Sequence, residues 1–449
     1  MIKSFAQLAF AFVLCSGTAQ AQVGANTNAE LYDMLLTEIT KWIGTKQKLS
    51  GEQEGLVQVL TTPQEADWGD SSYGRWSAGR LCDAVPSDGA AYNPTGRSVF
   101  RQFEMYVRSI KLPEDPDAAK QKQIDEARKK ADASLKAWIA ALEKSRIDWD
   151  TFNKTEVAAK RPQLTYNNWL LTTKRGLELG SLENKHYIDA QTYWSKLGKL
   201  AGNYDLVAAV LQNIIDKSSR PELPTEGGDL ERVPVCFITP SVSKWASAAK
   251  AAFAAKPEYS TWAFDKNYKF KGSSTSAGGA SLGFGGFFKF DAGGNKNTES
   301  VNTKDDNFRL ELKFAQAGIF TFRRGEWYRP DLMKLFMKRD QFYAGPNAIL
   351  ADPPTQLFGN GGSFRMASSQ VVVLYKPQLK IRLSKADYNK IKESWKVSTS
   401  FSVGPFKLNG GERSGGRENE AWNDASNEVT FSVPSENPQV IAVINNLLP

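Results

Sequence analysis

The stretch 281–294 reads SLGFGGFFKFDAGG and the stretch 400–411 reads SFSVGPFKLNGG, so each runs an alternating apolar strand into a double-glycine turn. A polar loop and a second alternating strand follow each one, at 308–314 (FRLELKF) and 429–433 (VTFSV). Period-two alternation with few intervening helices predicts an antiparallel, sandwich-like β-domain carrying two related Gly-rich hairpin modules, near 273–322 and 397–433. The apolar set is Leu282, Phe284, Phe288 and Phe290 in the first hairpin and Phe401, Val403 and Phe406 in the second. Such a set admits three readings. The strands face lipid within a barrel built by an oligomer, or they are edges that pair between protomers, or they are half-buried strands of one sheet, the commonest case.

Working outward, 233–240 (VPVCFITP) reads as a short strand, and an alanine-rich helix follows at 241–255. Further strands are expected at 318–322, 371–375 and 379–383, with a capped helix start at Ser384 leading into 388–395. The apolar tail 438–448 (PQVIAVINNLL) reads as a short helix laid on the sheet.

The N-terminal half has helical texture. Asn28 suits a helix cap before Leu31, Leu35, Ile39 and Trp42. The pattern fails between 51 and 94, where WGDSSYGRW (68–76) reads as loop and turns. A short amphipathic helix is expected over 98–110, and then Ile124, Ala131, Leu135, Trp138, Leu142, Ser145 and Trp149 form one long seam that Pro162 ends. Helical habit resumes at 168–180 and 190–217. The fold class is therefore α+β, with a helical bundle or long helical hairpin over 22–225 followed by a β-rich domain over 226–449.

Residues 1–21 carry Lys3, the apolar run 8–14 and the small-x-small site Ala19-Gln20-Ala21, which together read as a secretory signal. Leu14 before Cys15 lacks the small residue that a lipoprotein signal needs. Export to a periplasm or the extracellular space is expected, and there Cys82 and Cys236 suit a disulfide, the alternative being two buried thiols. No later run is long and apolar enough for a membrane-spanning helix. The formal charge of +8 favours anionic partners, such as a membrane or cell-envelope surface. No dense basic run with interleaved aromatics is present, so nucleic acid is not expected.

Chemistry is constrained by His186, the only histidine, which with two cysteines beyond the signal leaves no metal site expected. No G-x-S-x-G or P-loop occurs, and no cofactor is expected. Carboxylates alone can hydrolyse a glycoside, so Asp67 and Asp70 are weak catalytic candidates beside the sugar-stacking rings of Trp68, Tyr73 and Trp76. A structural role for that loop is the commoner reading. FRRGEWYRP (322–330) gathers Arg323, Arg324 and Arg329 with Trp327 and could bind an anion or an acidic sugar, if its arginines are not spent on neighbouring acids. The expectation is an exported, non-enzymatic binding or assembly protein, self-associating or acting at an anionic envelope surface through its paired hairpins. A carbohydrate-active hydrolase working near Trp68 is the alternative.

Overall fold

The computed structural model describes residues 18–47, 56–69, 71–89, 91–92, 94–111, 117–159, 161, 164, 169–170, 172–200, 205–225, 228–264, 287–292, 295–299, 301, 305–344, 348–409, 420–433 and 436–449. Most of the signal-type segment, Asp70, Leu282 and Phe284 lie outside the described residues.

The chain opens with α1 (Thr18–Lys46), β1 (Val57–Glu65), α2 (Ser72–Asp83), the short strands β2 (Ala84–Pro86), β3 (Ala91–Tyr92) and β4 (Pro94–Ser98), and α3 (Val99–Ser109). Three helices follow, α4 (Ala118–Ala158), α5 (Lys174–Leu200) and α6 (Asp205–Ile215). Next come β5 (Glu222–Pro224), β6 (Leu230–Arg232), β7 (Cys236–Thr239), α7 (Val242–Ala255), β8 (Ser260–Phe264), β9 (Phe288–Ala292), β10 (Asn295–Glu299), β11 (Arg309–Phe314) and β12 (Gln316–Arg324). After α8 (Pro330–Leu335) and α9 (Pro353–Phe358) the chain returns through β13 (Met366–Tyr375), β14 (Gln378–Arg382) and α10 (Lys385–Val397). It closes with β15 (Ser400–Val403), β16 (Phe406–Asn409), β17 (Glu420–Asn423), β18 (Glu428–Ser432) and β19 (Gln439–Leu447). The fold is α+β, a helix-rich N-terminal region followed by a sheet-rich one.

Three larger sheets organise the second region, with strand orders β3-β1-β19-β13-β12-β7, β17-β18-β14-β11-β8 and β10-β9-β15-β16. Within the first two sheets the strands recur in pairs. The neighbours β12 and β7 are matched by β19 and β13, and β11 and β8 are matched by β18 and β14, every pair antiparallel. Each unit thus sends its first and last strands to one sheet, its second and penultimate strands to another, and a hairpin to the third. The similarity of 281–294 to 400–411 is the local trace of this larger repetition. In the third sheet the two hairpins meet back to back through β9 and β15, with Phe290 opposite Phe401 and Phe288 opposite Val403.

Phe288, Phe290, Phe401, Val403 and Phe406 are all buried, and the Phe290 and Phe401 rings stack 4.5 Å apart. They share a core with Leu310, Leu312, Leu379, Ile381, Phe431 and the α1 residues Leu31, Leu35, Ile39 and Ile43. The hairpins therefore satisfy one another inside the chain.

Three local expectations are corrected. WGDSSYGRW leads into a helix, not only turns, because Ser71 caps it by accepting from the Gly74 N–H. Its glycines permit close approach, since a Cβ on Gly74 would meet Asp67 O at 2.4 Å and one on Gly79 would meet Val233 Cγ1 at 2.4 Å. Asn28 lies inside α1 and does not cap a separate helix. The tail 438–448 forms the strand β19 instead of a helix, lying between β1 and β13. A strand buried on both faces loses its alternation and reads as a plain apolar run. Its Val440, Ile441, Val443 and Ile444 are β-branched, as such a strand prefers.

The seam on α4 packs along α5 as a helical hairpin, with Ile124, Ala131, Leu135, Trp138 and Ser145 buried. At its base Glu104 holds Arg108 at 2.6 Å and Arg101 at 3.0 Å, while Arg128 on α4 faces Asp132 at 3.3 Å. The Arg101 guanidinium also lies 3.6 Å from the Tyr187 ring centre and 4.8 Å from that of Trp138. Removing one member of such a set strands a buried charge, so the hairpin sits in a defined place.

Candidate anion-binding pocket

The strand β12 changes partner along its length. It pairs with β13 from Gln316 to Thr321 and with β7 from Thr321 to Arg324. On its other side β13 shifts register against β19 between Ser368 and Gln370, the mark of a bulge beside the same place. The two central strands part at this point, and the gap is a cavity of about 610 Å³. Its walls come from the end of β12, the start of β13, the tail at Asn446, Leu447 and Leu448, Leu56 before β1, and Met333 and Lys334 of α8.

Arg324 lines this cavity. It continues the face of Phe320 and Phe322, which α2 covers, so its head reaches the C-terminal end of that helix. Its Nη2 donates to Cys82 O and to Ser368 O, both at 2.8 Å. The first is one of the carbonyls a helix end leaves without a partner, and the second belongs to the strand that has peeled away. Ser368 is fixed in turn by its Oγ donating to Asn445 Oδ1 at 2.9 Å, and Asn445 donates to Gln58 Oε1 at 2.8 Å. The Arg324 Nε is buried and has no hydrogen-bond partner among the described residues.

No carboxylate among the described residues forms an ion pair with Arg324 or with Lys334. Burial presses the Arg324 guanidinium below its ordinary value, opposed by Tyr328, Asp83 and Tyr92 acting through space. It stays protonated all the same. Its carbon lies 5.0 Å from the centre of the Tyr328 ring, which also lines the cavity, and burial raises the Tyr328 phenol. No described residue hydrogen-bonds the Tyr328 hydroxyl.

The other expected site residues are dispersed. Trp68 is buried against Phe322 and donates its Nε1 to Ser77 Oγ at 3.3 Å, so its ring is not a sugar platform. Tyr73 and Trp76 form a half-exposed ring pair 5.6 Å apart, and Trp76 Nε1 donates to Glu231 Oε2 at 2.8 Å. Asp67 is exposed. Trp327 is buried and donates to Val235 O at 3.1 Å, Arg323 is exposed, and Arg329 is held by Asp331 at 2.6 Å. Cys82 and Cys236 are joined as a disulfide, and Arg324 is the cross-strand partner of Cys236.

Among the described residues no group of three or more His, Cys, Asp or Glu side chains could hold a metal ion. No protein family, curated protein or solved structure matches this chain. The pocket is thus read from its own chemistry. Of FRRGEWYRP, Phe322, Arg324, Tyr328 and Pro330 reach it, and Arg324 and Tyr328 are its polar members there. Lys334 and Met333, just past that stretch, escape a sequence reading because a six-residue helix carries too short a pattern to register.

Proposed function

We propose that this is an exported, non-enzymatic binding protein that holds an anionic ligand of the cell envelope or its surroundings against Arg324. The observation that carries the reading is a guanidinium on a cavity wall, joined on the same wall by Lys334, neither with an ion-pair partner among the described residues. Two cations around one concavity focus a positive potential there. The cavity volume falls in the range usual for small-molecule sites. The Cys82–Cys236 bond favours an oxidising compartment, in keeping with the signal-type N-terminus. Action through lipid-facing hairpins has less support, because their described apolar residues would have to leave the core.

The test is thermal unfolding with anions of increasing charge at low and high salt. The midpoint is expected to rise with anion charge and to lose that gain at high salt. Arg324→Gln should abolish the shift and Lys334→Gln should reduce it. A wild-type midpoint indifferent to every anion would end this reading.

A further inference from the structure

We infer that the ligand is an organic phosphate, a tetrahedral oxyanion head on an apolar body. This rests on the anion-binding reading and narrows it. A guanidinium grips a planar carboxylate through two parallel N–H groups, one of them on Nη2 whether the carboxylate approaches end-on or from the side. In this protein both hydrogens of Nη2 are committed, to Cys82 O and Ser368 O at 2.8 Å. Nε is buried, with no hydrogen-bond partner among the described residues. The fork is therefore closed, and Arg324 offers Nη1 as a single-sided donor.

Such a site suits an anion whose oxygens point in several directions and can be met by separate donors. Tyr328 and Lys334 line the same cavity from the turn after β12 and from α8, and neither has a protein partner for its polar end among the described residues. A phosphate monoester carries between one and two negative charges at neutral pH and three acceptor oxygens. That matches two cations and one hydroxyl. A carboxylate would neutralise one cation and leave the other bare. Apolar side chains, Leu56, Phe322, Met333, Leu447 and Leu448 among them, share the rest of the wall with Thr321, Ser369 and Asn446, and the 610 Å³ exceed what a bare phosphate fills. The apolar lining gains by covering a hydrocarbon group.

Titration calorimetry on the full disulfide-bonded chain separates the possibilities, using octyl phosphate, octanoate and inorganic phosphate as probes. Octyl phosphate is expected to bind at least tenfold tighter than either of the others. Lys334→Gln, an exposed position, should weaken octyl phosphate about tenfold and leave octanoate within twofold. Octanoate binding as tightly as octyl phosphate would overturn the phosphate head while leaving an anion site in place. Inorganic phosphate binding as tightly as octyl phosphate would overturn the apolar body. Failure of all three, with no anion shift in thermal unfolding, would remove the anion site itself. Co-sedimentation with phosphatidic acid vesicles, displaced by octyl phosphate, would support a lipid head as the source. Octyl phosphate binding without vesicle binding would support a free phosphate ester.

Discussion

The two copies of the repeated unit end differently. In the second copy the last strand, β19, has a partner on each side and is buried from Gln439 to Asn445. In the first copy the matching strand, β12, keeps β13 only as far as Thr321 and then runs on beside the edge strand β7. Where the strand keeps a partner on each side the sequence is apolar, VIAVI; where β12 leaves β13 the strand finishes in Arg323 and Arg324. Backbone groups freed by the break need other partners. Arg324 supplies hydrogens to two carbonyls around the gap and keeps its charge toward the cavity. Repetition built the scaffold, and departure from it made room for a ligand.

The largest test of the repetition lies at the seam between the hairpins. Phe290→Ala and Phe401→Ala should each lower stability by about 3–5 kcal/mol in chemical denaturation, as buried phenylalanines do. If the two copies meet as equals, the double variant should differ from additivity by about 0.5–1.5 kcal/mol, the worth of the stacked pair. A cost below about 1 kcal/mol for Phe290→Ala alone would mean that only the second hairpin is seated. Next in size is Cys236→Ser, which opens a link across 154 residues between α2 and the edge strand β7. A loss of about 2–5 kcal/mol is expected. Because Cys82 O orients Arg324, anion affinity should fall with it, and unchanged affinity would show that Ser368 O alone fixes the guanidinium.

Arg324→Met sharpens the contrast between β12 and β19 by giving the first strand an apolar end. It leaves two carbonyls unpaired and should cost about 1–3 kcal/mol in the free protein while removing anion binding. A variant more stable than wild type would show that the cavity closes on its own, so that the charge serves only the ligand.

How much of this could be read from residues alone follows from how each pattern arises. Arg309–Phe314 alternates because one face is buried, with Leu310, Leu312 and Phe314 inside, and it was legible for that reason. The α4 seam was legible over about seven turns of helix, from Ile124 to Trp149, since that side packs along α5. The β19 strand was not, being buried on both faces, and α2 was not, because the glycines that let it approach its neighbours look like turn residues. The pocket had no local sign at all. It arises from a change of partner at Thr321 and a bulge in β13, two events far apart in the chain, so the arginine cluster could be noted without showing which member was free.

The last test concerns the helical hairpin, whose attachment adds buried ion pairs to its apolar packing where that of the β-hairpins is apolar. Burial pushes the Asp132 carboxyl up to about 6, with Arg128, Lys136 and Arg108 pulling the other way. An unfolded aspartate titrates near 3.9. Between roughly pH 4 and 6 the folded chain therefore keeps a proton that the unfolded chain has released, so this group's contribution is complete below about pH 4 and declines as pH rises through 6. Asp132→Asn removes the titration. The wild-type stability should consequently fall relative to Asp132→Asn across that window, by on the order of 3 kcal/mol at most, and then run parallel above it. Parallel profiles throughout would mean that Arg128 holds Asp132 ionised even at pH 4. The attachment would then be a true ion pair, and the two hairpins, helical and β, would differ in chemistry but not in their response to acid.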